Sequence, residues 1–140
     1  MNFSVTKNGV ELSSELYNWD EKTKTFSTNE NDLVLDFSGI NGLTFKTGSY
    51  CTFKTGPGCT FKTYSYCTFD AGSDCTFKTG SDCTFDTGSN CVVIRRDIFE
   101  VIKLNKGKQI KLNGSKISGF EEIEPKKKLL LLTGKKLKFQ

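Results

Sequence analysis

Six cysteines stand at positions 51, 59, 67, 75, 83 and 91, one every eight residues, in a chain of 140 residues that has no histidine. Thiols can cross-link, bind soft metals or act as nucleophiles, and each use demands its own arrangement. Structural zinc ligands usually come in short pairs such as Cys-x-x-Cys, and the sequence has none. A Cys-His or Ser-His nucleophile is excluded without histidine. Cysteines on neighbouring in-register strands would meet the Cα spacing of a disulfide, but their side chains would point the same way, which suits the dihedral poorly. The spacing therefore points to packing. Free cysteine behaves as a small, readily buried apolar residue. No metal, cofactor or small-molecule substrate is expected, and no enzyme.

The elements that must position these thiols are set by an octapeptide repeat. The chain reads LDFSGING (35–42), LTFKTGSY (43–50), CTFKTGPG (51–58), CTFKTYSY (59–66), CTFDAGSD (67–74), CTFKTGSD (75–82) and CTFDTGSN (83–90), then departs with CVVIRRDI (91–98). Position one is Leu35, Leu43, Cys51, Cys59, Cys67, Cys75, Cys83 and Cys91. Position three is Phe37, Phe45, Phe53, Phe61, Phe69, Phe77, Phe85 and Val93. Thr at position two and Lys or Asp at position four complete an alternation of period two, the mark of a half-buried strand. Gly-Ser-Asp at positions six to eight is a turn composition.

One such strand buries too little to be stable, but stacked on copies of itself it forms a parallel ladder with a continuous core. Rungs would lie about 4.8 Å apart, so each phenyl ring would rest on the next. Burying one Phe contributes roughly 1.5–3 kcal/mol. The expected fold is an all-β parallel β-solenoid. Two octads per coil would put Lys46, Lys62 and Lys78 in one column and Tyr50 on Tyr66. Three per coil would set Lys46 on Asp70, Lys62 on Asp86 and Lys54 on Lys78. Exposed pairs are worth under about 1 kcal/mol, so these charges do not decide the coil.

A solenoid has open ends, which must be capped. The expected division is an N-terminal cap over 1–34, the repeat over 35–98 and a basic β-rich cap over 99–140. Asn8-Gly9 between Phe3–Val5 and Val10–Leu12 signals a hairpin. A second would join Leu16–Trp19 to Thr25–Ser27, with a helix over Glu11–Trp19 as the alternative, and Trp19 covering the first coil. Past the repeat, strands are expected at Val92–Ile94, Phe99–Leu104 and Gln109–Leu112. Lys126–Leu132 and Lys135–Phe139 would form a terminal hairpin.

Charge is uneven. Residues 1–34 carry a net −3, residues 35–90 −1 and residues 91–140 +8. Lys126, Lys127, Lys128, Lys135, Lys136 and Lys138 form a candidate basic contact surface. Lysines there can neutralise nucleic-acid phosphates non-specifically, but no aromatic stacking motif accompanies them, and a solubilising cap is the expected role. The asymmetry suits docking head-to-tail, or onto another structural protein of opposite charge. Asp70 and Asp86 share a face in a two-octad coil, but as a solvated pair rather than an acid–base couple. Asp74, Asp82 and Asn90 close three turns without a complete calcium set, since Tyr50, Gly58 and Tyr66 hold that place elsewhere. The outward Thr-x-Lys and Thr-x-Asp pairs lack the Thr-x-Thr regularity of an ice-binding face. No apolar run of 18 residues is present, so no membrane helix is expected. Met1–Val5 lacks the basic and apolar regions of a secretory signal.

The run CTFKTGPG-CTFKTYSY-CTFDAGSD-CTFKTGSD-CTFDTGSN, followed by CVVIRRDIFEVIKL, resembles the octapeptide-repeat proteins of phage and other viral genomes. The resemblance covers residues 43 to about 120. It implies a viral structural or accessory protein, located in the virion or the host cytoplasm, and brings no activity with it. The similar nine-residue calcium-binding repeat winds two turns per coil, which favours sixteen residues per coil here over twenty-four. The expected role is a rigid solenoid for assembly or attachment. The alternative is a module that binds a host glycan or nucleic acid through a solenoid face or the basic cap.

Overall fold

The computed structural model describes residues 2–123. The terminal hairpin expected over 126–139, and with it Lys126, Lys127, Lys128, Lys135, Lys136 and Lys138, lies outside the described residues. The octads form strands β6 (Thr44–Lys46), β7 (Thr52–Thr55), β8 (Thr60–Lys62), β9 (Thr68–Ala71), β10 (Thr76–Thr79), β11 (Thr84–Thr87) and β12 (Cys91–Arg95). Successive strands alternate between two sheets. Sheet I stacks β6, β8, β10 and β12 in parallel; sheet II stacks β7, β9 and β11 on β5 (Leu33–Phe37). Phe45 pairs with Phe61 and Phe61 with Phe77, while Phe53 pairs with Phe69 and Phe69 with Phe85. Each residue thus sits on the one sixteen places earlier, so a coil is two octads and the twenty-four-residue alternative is excluded.

The core follows from that register. Position-one Leu43 and the six cysteines are buried, as are the position-three Phe residues and Val93. Within a sheet the rings lie nearly parallel, for example Phe61 on Phe77 at 4.7 Å and 7°. Between sheets they meet edge to face, as Phe53 meets Phe61 at 5.2 Å and 79°. Both arrangements suit the ring quadrupole.

The first octad is displaced by two residues from its expected alignment. Leu35 stands opposite Phe53 and Phe37 opposite Thr55. Leu33, not Leu35, therefore fills position one, and Phe37 fills position five. The segment Ser38–Gly42 makes up the difference as a longer turn, with Gly39 and Gly42 at φ of 75° and 70°. Leu33-x-Leu35-x-Phe37 alternates throughout, so either register buries apolar side chains on one face.

Position five also points inward. Thr47, Thr55, Thr63, Ala71, Thr79 and Thr87 are buried there. Thr79 and Thr87 donate their hydroxyl protons to the next carbonyl at 3.1 and 3.2 Å, while the Thr47 and Thr55 hydroxyls have no protein partner. In the last coil the same place holds Arg95, which is fully buried.

Each turn column has its own steric rule. A Cβ on Gly56 would lie 2.8 Å from the Ile40 carbonyl oxygen, and one on Gly72 2.7 Å from Pro57 N, so position six in these octads is restricted to glycine. Position eight is left-handed throughout: Tyr50, Tyr66, Asp74, Asp82 and Asn90 have φ between 58° and 62°, and Gly58 has 73°. Asp, Asn and Gly tolerate that region best, which accounts for the recurrent Ser-Asp and Ser-Asn closures.

Antiparallel strands close both ends. β1 (Ser4–Lys7) and β2 (Val10–Glu11) form the first hairpin around Asn8 and Gly9, both at positive φ, and β1 pairs with β5. β3 (Asn18–Asp20) and β4 (Thr25–Ser27) form the second, and β4 joins the parallel ladder of sheet I. Between them lies a single 3-10 turn at Ser14–Leu16, where a helix over Glu11–Trp19 was the alternative. Trp19 and Tyr17 pack beside Phe3, which stacks on Phe37 at 4.4 Å. At the other end, β13 (Val101–Leu104) pairs with β12, while β14 (Gln109–Leu112) and β15 (Phe120–Ile123) extend sheet II. Phe99, expected in a strand, instead sits in a left-handed turn and is exposed.

Candidate binding face and groove

The two outer faces differ in charge because position four differs between alternate octads. On sheet I, Lys46, Lys62 and Lys78 stand in register, beside a column of Thr44, Thr60 and Thr76. On sheet II the corresponding column runs Asp36, Lys54, Asp70, Asp86. Lys54 there has an acid on each side, whereas the three sheet I lysines have only one another. They are exposed and form no salt bridge among the described residues. Like charges directly opposite destabilise a sheet, so this ladder is a cost borne by the fold.

A second departure from the repeat lies at the adjoining edge. Position six after the sheet I strands runs Gly48, Tyr64, Gly80, Arg96. The glycines at 48, 56, 72, 80 and 88 each donate a backbone hydrogen bond to the preceding coil, and the corresponding Tyr64 bond is missing. Tyr64 is 55% exposed. Arg96 reaches past Gly80, which has no side chain, and places its guanidinium 4.6 Å from the centre of the Tyr64 ring. Its Nη1 donates to the Thr63 carbonyl at 2.6 Å. That contact uses one of five guanidinium donors, and Arg96 makes no ion pair among the described residues.

Tyr64, Arg96, Lys46 and Lys62 line a groove of about 560 Å³ together with Glu15, Tyr17, Asn18 and Asn29 of the N-terminal cap. The groove thus combines three cations, one carboxylate, amides and aromatic surface. Neither Tyr64 nor Arg96 stood out in the sequence by charge or spacing. The signal was the loss of glycine at position six, in CTFKTYSY and CVVIRRDI.

The cysteines lie elsewhere and do something else. They form two buried columns, Cys51–Cys67–Cys83 and Cys59–Cys75–Cys91, and all six are free thiols. A hydrogen bond to Cys67, with burial, pushes the Cys51 thiol up. Hydrogen bonding between Cys59 and Cys75 raises Cys75 and lowers Cys59. Their place in the apolar core makes them packing residues, with hydrogen bonds between column neighbours setting the direction in which each thiol is shifted. Of the carboxylates weighed above, Asp70 and Asp86 stack on the exposed face of sheet II. Asp74 accepts a hydrogen bond from Asn90 at 2.6 Å on one edge, away from Asp82 on the other. No helix among the described residues is long and apolar enough to cross a membrane.

The class these features define is a capped, two-sheet β-solenoid with one basic face. The chain matches no protein-family model, no curated protein and no solved structure.

Proposed function

We propose that the protein is a non-enzymatic attachment module, a rigid solenoid that grips a polyanionic partner with the outer face of sheet I. The observation that carries this reading is the unrelieved column Lys46–Lys62–Lys78, set against a sheet II column in which acids alternate with or outnumber lysine. A rung spacing near 4.8 Å presents three ammonium groups in a straight line. A linear polyanion can meet all three at once, and the cost of their mutual repulsion is then recovered. The threonine hydroxyls beside them add neutral hydrogen-bonding capacity. A chain without histidine, whose paired acids stand on an open face, supports binding rather than catalysis. An attachment role in a virus is the setting that the octapeptide resemblance suggests.

The N-terminal end supports attachment over head-to-tail growth. Its outermost strands are short, β2 with two residues and β3 with three. Short edges discourage strand addition.

Binding of heparin and of a single-stranded DNA oligomer, each as a generic polyanion, tests the reading across a salt series. Replacing all three lysines, Lys46→Gln, Lys62→Gln and Lys78→Gln, is expected to weaken binding at least tenfold. The slope of log K against log salt should fall by about 2, the counterions of three contacts. An unchanged affinity and slope overturns the reading.

A further inference from the structure

We propose that the groove beside Tyr64 is a subsite for an acidic sugar residue, so that the polyanion gripped by sheet I is a uronate-bearing polysaccharide. This rests on the attachment reading and gives it a ligand class. The argument begins with cost. At most octads position six is a sterically tight glycine, and at Tyr64 the turn forgoes the hydrogen bond that those glycines make. Nothing in the core gains from the ring, which lies half exposed. What the ring does gain is a fixed orientation, with Arg96 laid against it. A flat aromatic face held at a groove wall suits the apolar face of a pyranose. The free guanidinium donors of Arg96 and the ammonium of Lys62 line the same groove, where they suit the carboxylate of that sugar. In the same groove, Glu15 and Asn29 offer acceptors and donors of the kind that hydroxyl groups need.

A nucleic acid would compete for the same ring face and the same cations, and the DNA arm of the test distinguishes it. The volume of about 560 Å³ lies within the range of small-ligand sites. From this subsite a linear chain can continue along the Lys46–Lys62–Lys78 column.

The test is binding of an oligogalacturonate, its methyl ester and a DNA oligomer to the full chain, by calorimetry. The free acid should bind at least tenfold more tightly than the ester. Tyr64→Gly restores the repeat and should fold at least as well as the native chain, as melting will show. It should nevertheless lose oligogalacturonate binding at least tenfold, while DNA binding through the lysine column persists. Tyr64→Phe should retain it. Arg96→Gln should shrink the preference for acid over ester. Undiminished galacturonate binding by Tyr64→Gly overturns the subsite, as does a DNA preference that Tyr64→Gly abolishes; the attachment reading survives either result. If the native chain binds no polyanion at all, both fail.

Discussion

Phe61→Ala should destabilise the protein by about 3–5 kcal/mol, the range for removing a buried aromatic side chain from a packed core. Phe61 is fully buried and has four ring neighbours. Phe45 and Phe77 stack on it at 5.1 and 4.7 Å, and Phe53 and Phe69 meet it edge-on at 5.2 and 5.0 Å. Alanine there opens a void that both sheets line. Each coil contacts only its neighbours, so the gap cannot be closed by a distant adjustment without breaking the register of the ladder. Chemical denaturation would measure the loss, and thermal melting should show a drop of roughly 10 °C or more. A loss under about 1 kcal/mol would mean that the ring column does not hold the coils together.

Arg95→Met should cost about 2–4 kcal/mol, near the loss seen when a buried ion pair is broken, reduced here because the partner keeps some solvent. Arg95 is fully buried, and its guanidinium is almost completely used. It donates to both Asp97 carboxylate oxygens at 3.1 and 2.7 Å, to the Ile117 carbonyl at 2.6 Å and to the Gly114 carbonyl at 3.1 Å. One side chain from the last coil therefore ties down the 114–117 loop of the cap. Methionine would fill much of the volume but leave the carbonyls and Asp97 without their donor. Arg95→Lys should rescue little, because a single ammonium cannot reproduce the fork. The effect also has a pH signature. Burial pushes Asp97 up, but the Lys116 amide and Arg95 outweigh it and hold the carboxyl below its usual value. Its contribution is therefore complete above the unfolded carboxyl value, near 3.9, and fades as pH falls through the lower folded value. Arg95→Met should narrow the stability gap to wild type in acid, as measured by denaturation across pH 2 to 7.

Much of this architecture was legible in the octads. Period-two alternation put positions one and three inside, and Asn8-Gly9 placed the first hairpin. Other features were hidden for physical reasons. Threonine at position five is polar in composition yet lies buried, with the Thr63, Thr79 and Thr87 hydroxyls turned to a local carbonyl and those of Thr47 and Thr55 without a protein partner, so only Ala71 betrayed that column. Arg95 occupied the same column, and nothing in the sequence showed that its donors would find the cap. The first octad slipped by two because Leu33, Leu35 and Phe37 alternate equally well in either register. The choice of two octads per coil could not come from surface charge, because either coil stacks the rings and exposed charge pairs are worth under about 1 kcal/mol. The basic face and the Tyr64–Arg96 edge emerge only after that choice fixes which side chains share a column.

That arrangement, rather than net charge, is the core of the functional reading, and a charge-swapped isomer tests it. Lys62→Asp combined with Asp70→Lys keeps the composition and the net charge of +4. It sets an acid between Lys46 and Lys78 on sheet I and moves the lysine to sheet II. Exposed exchanges of this kind change stability by under about 1 kcal/mol, so the fold should persist. Heparin affinity, measured on both proteins at one salt concentration, should fall at least tenfold in the swapped isomer. Equal affinity in the two proteins would contradict the claim that the sixteen-residue coil builds a binding face by aligning its lysines.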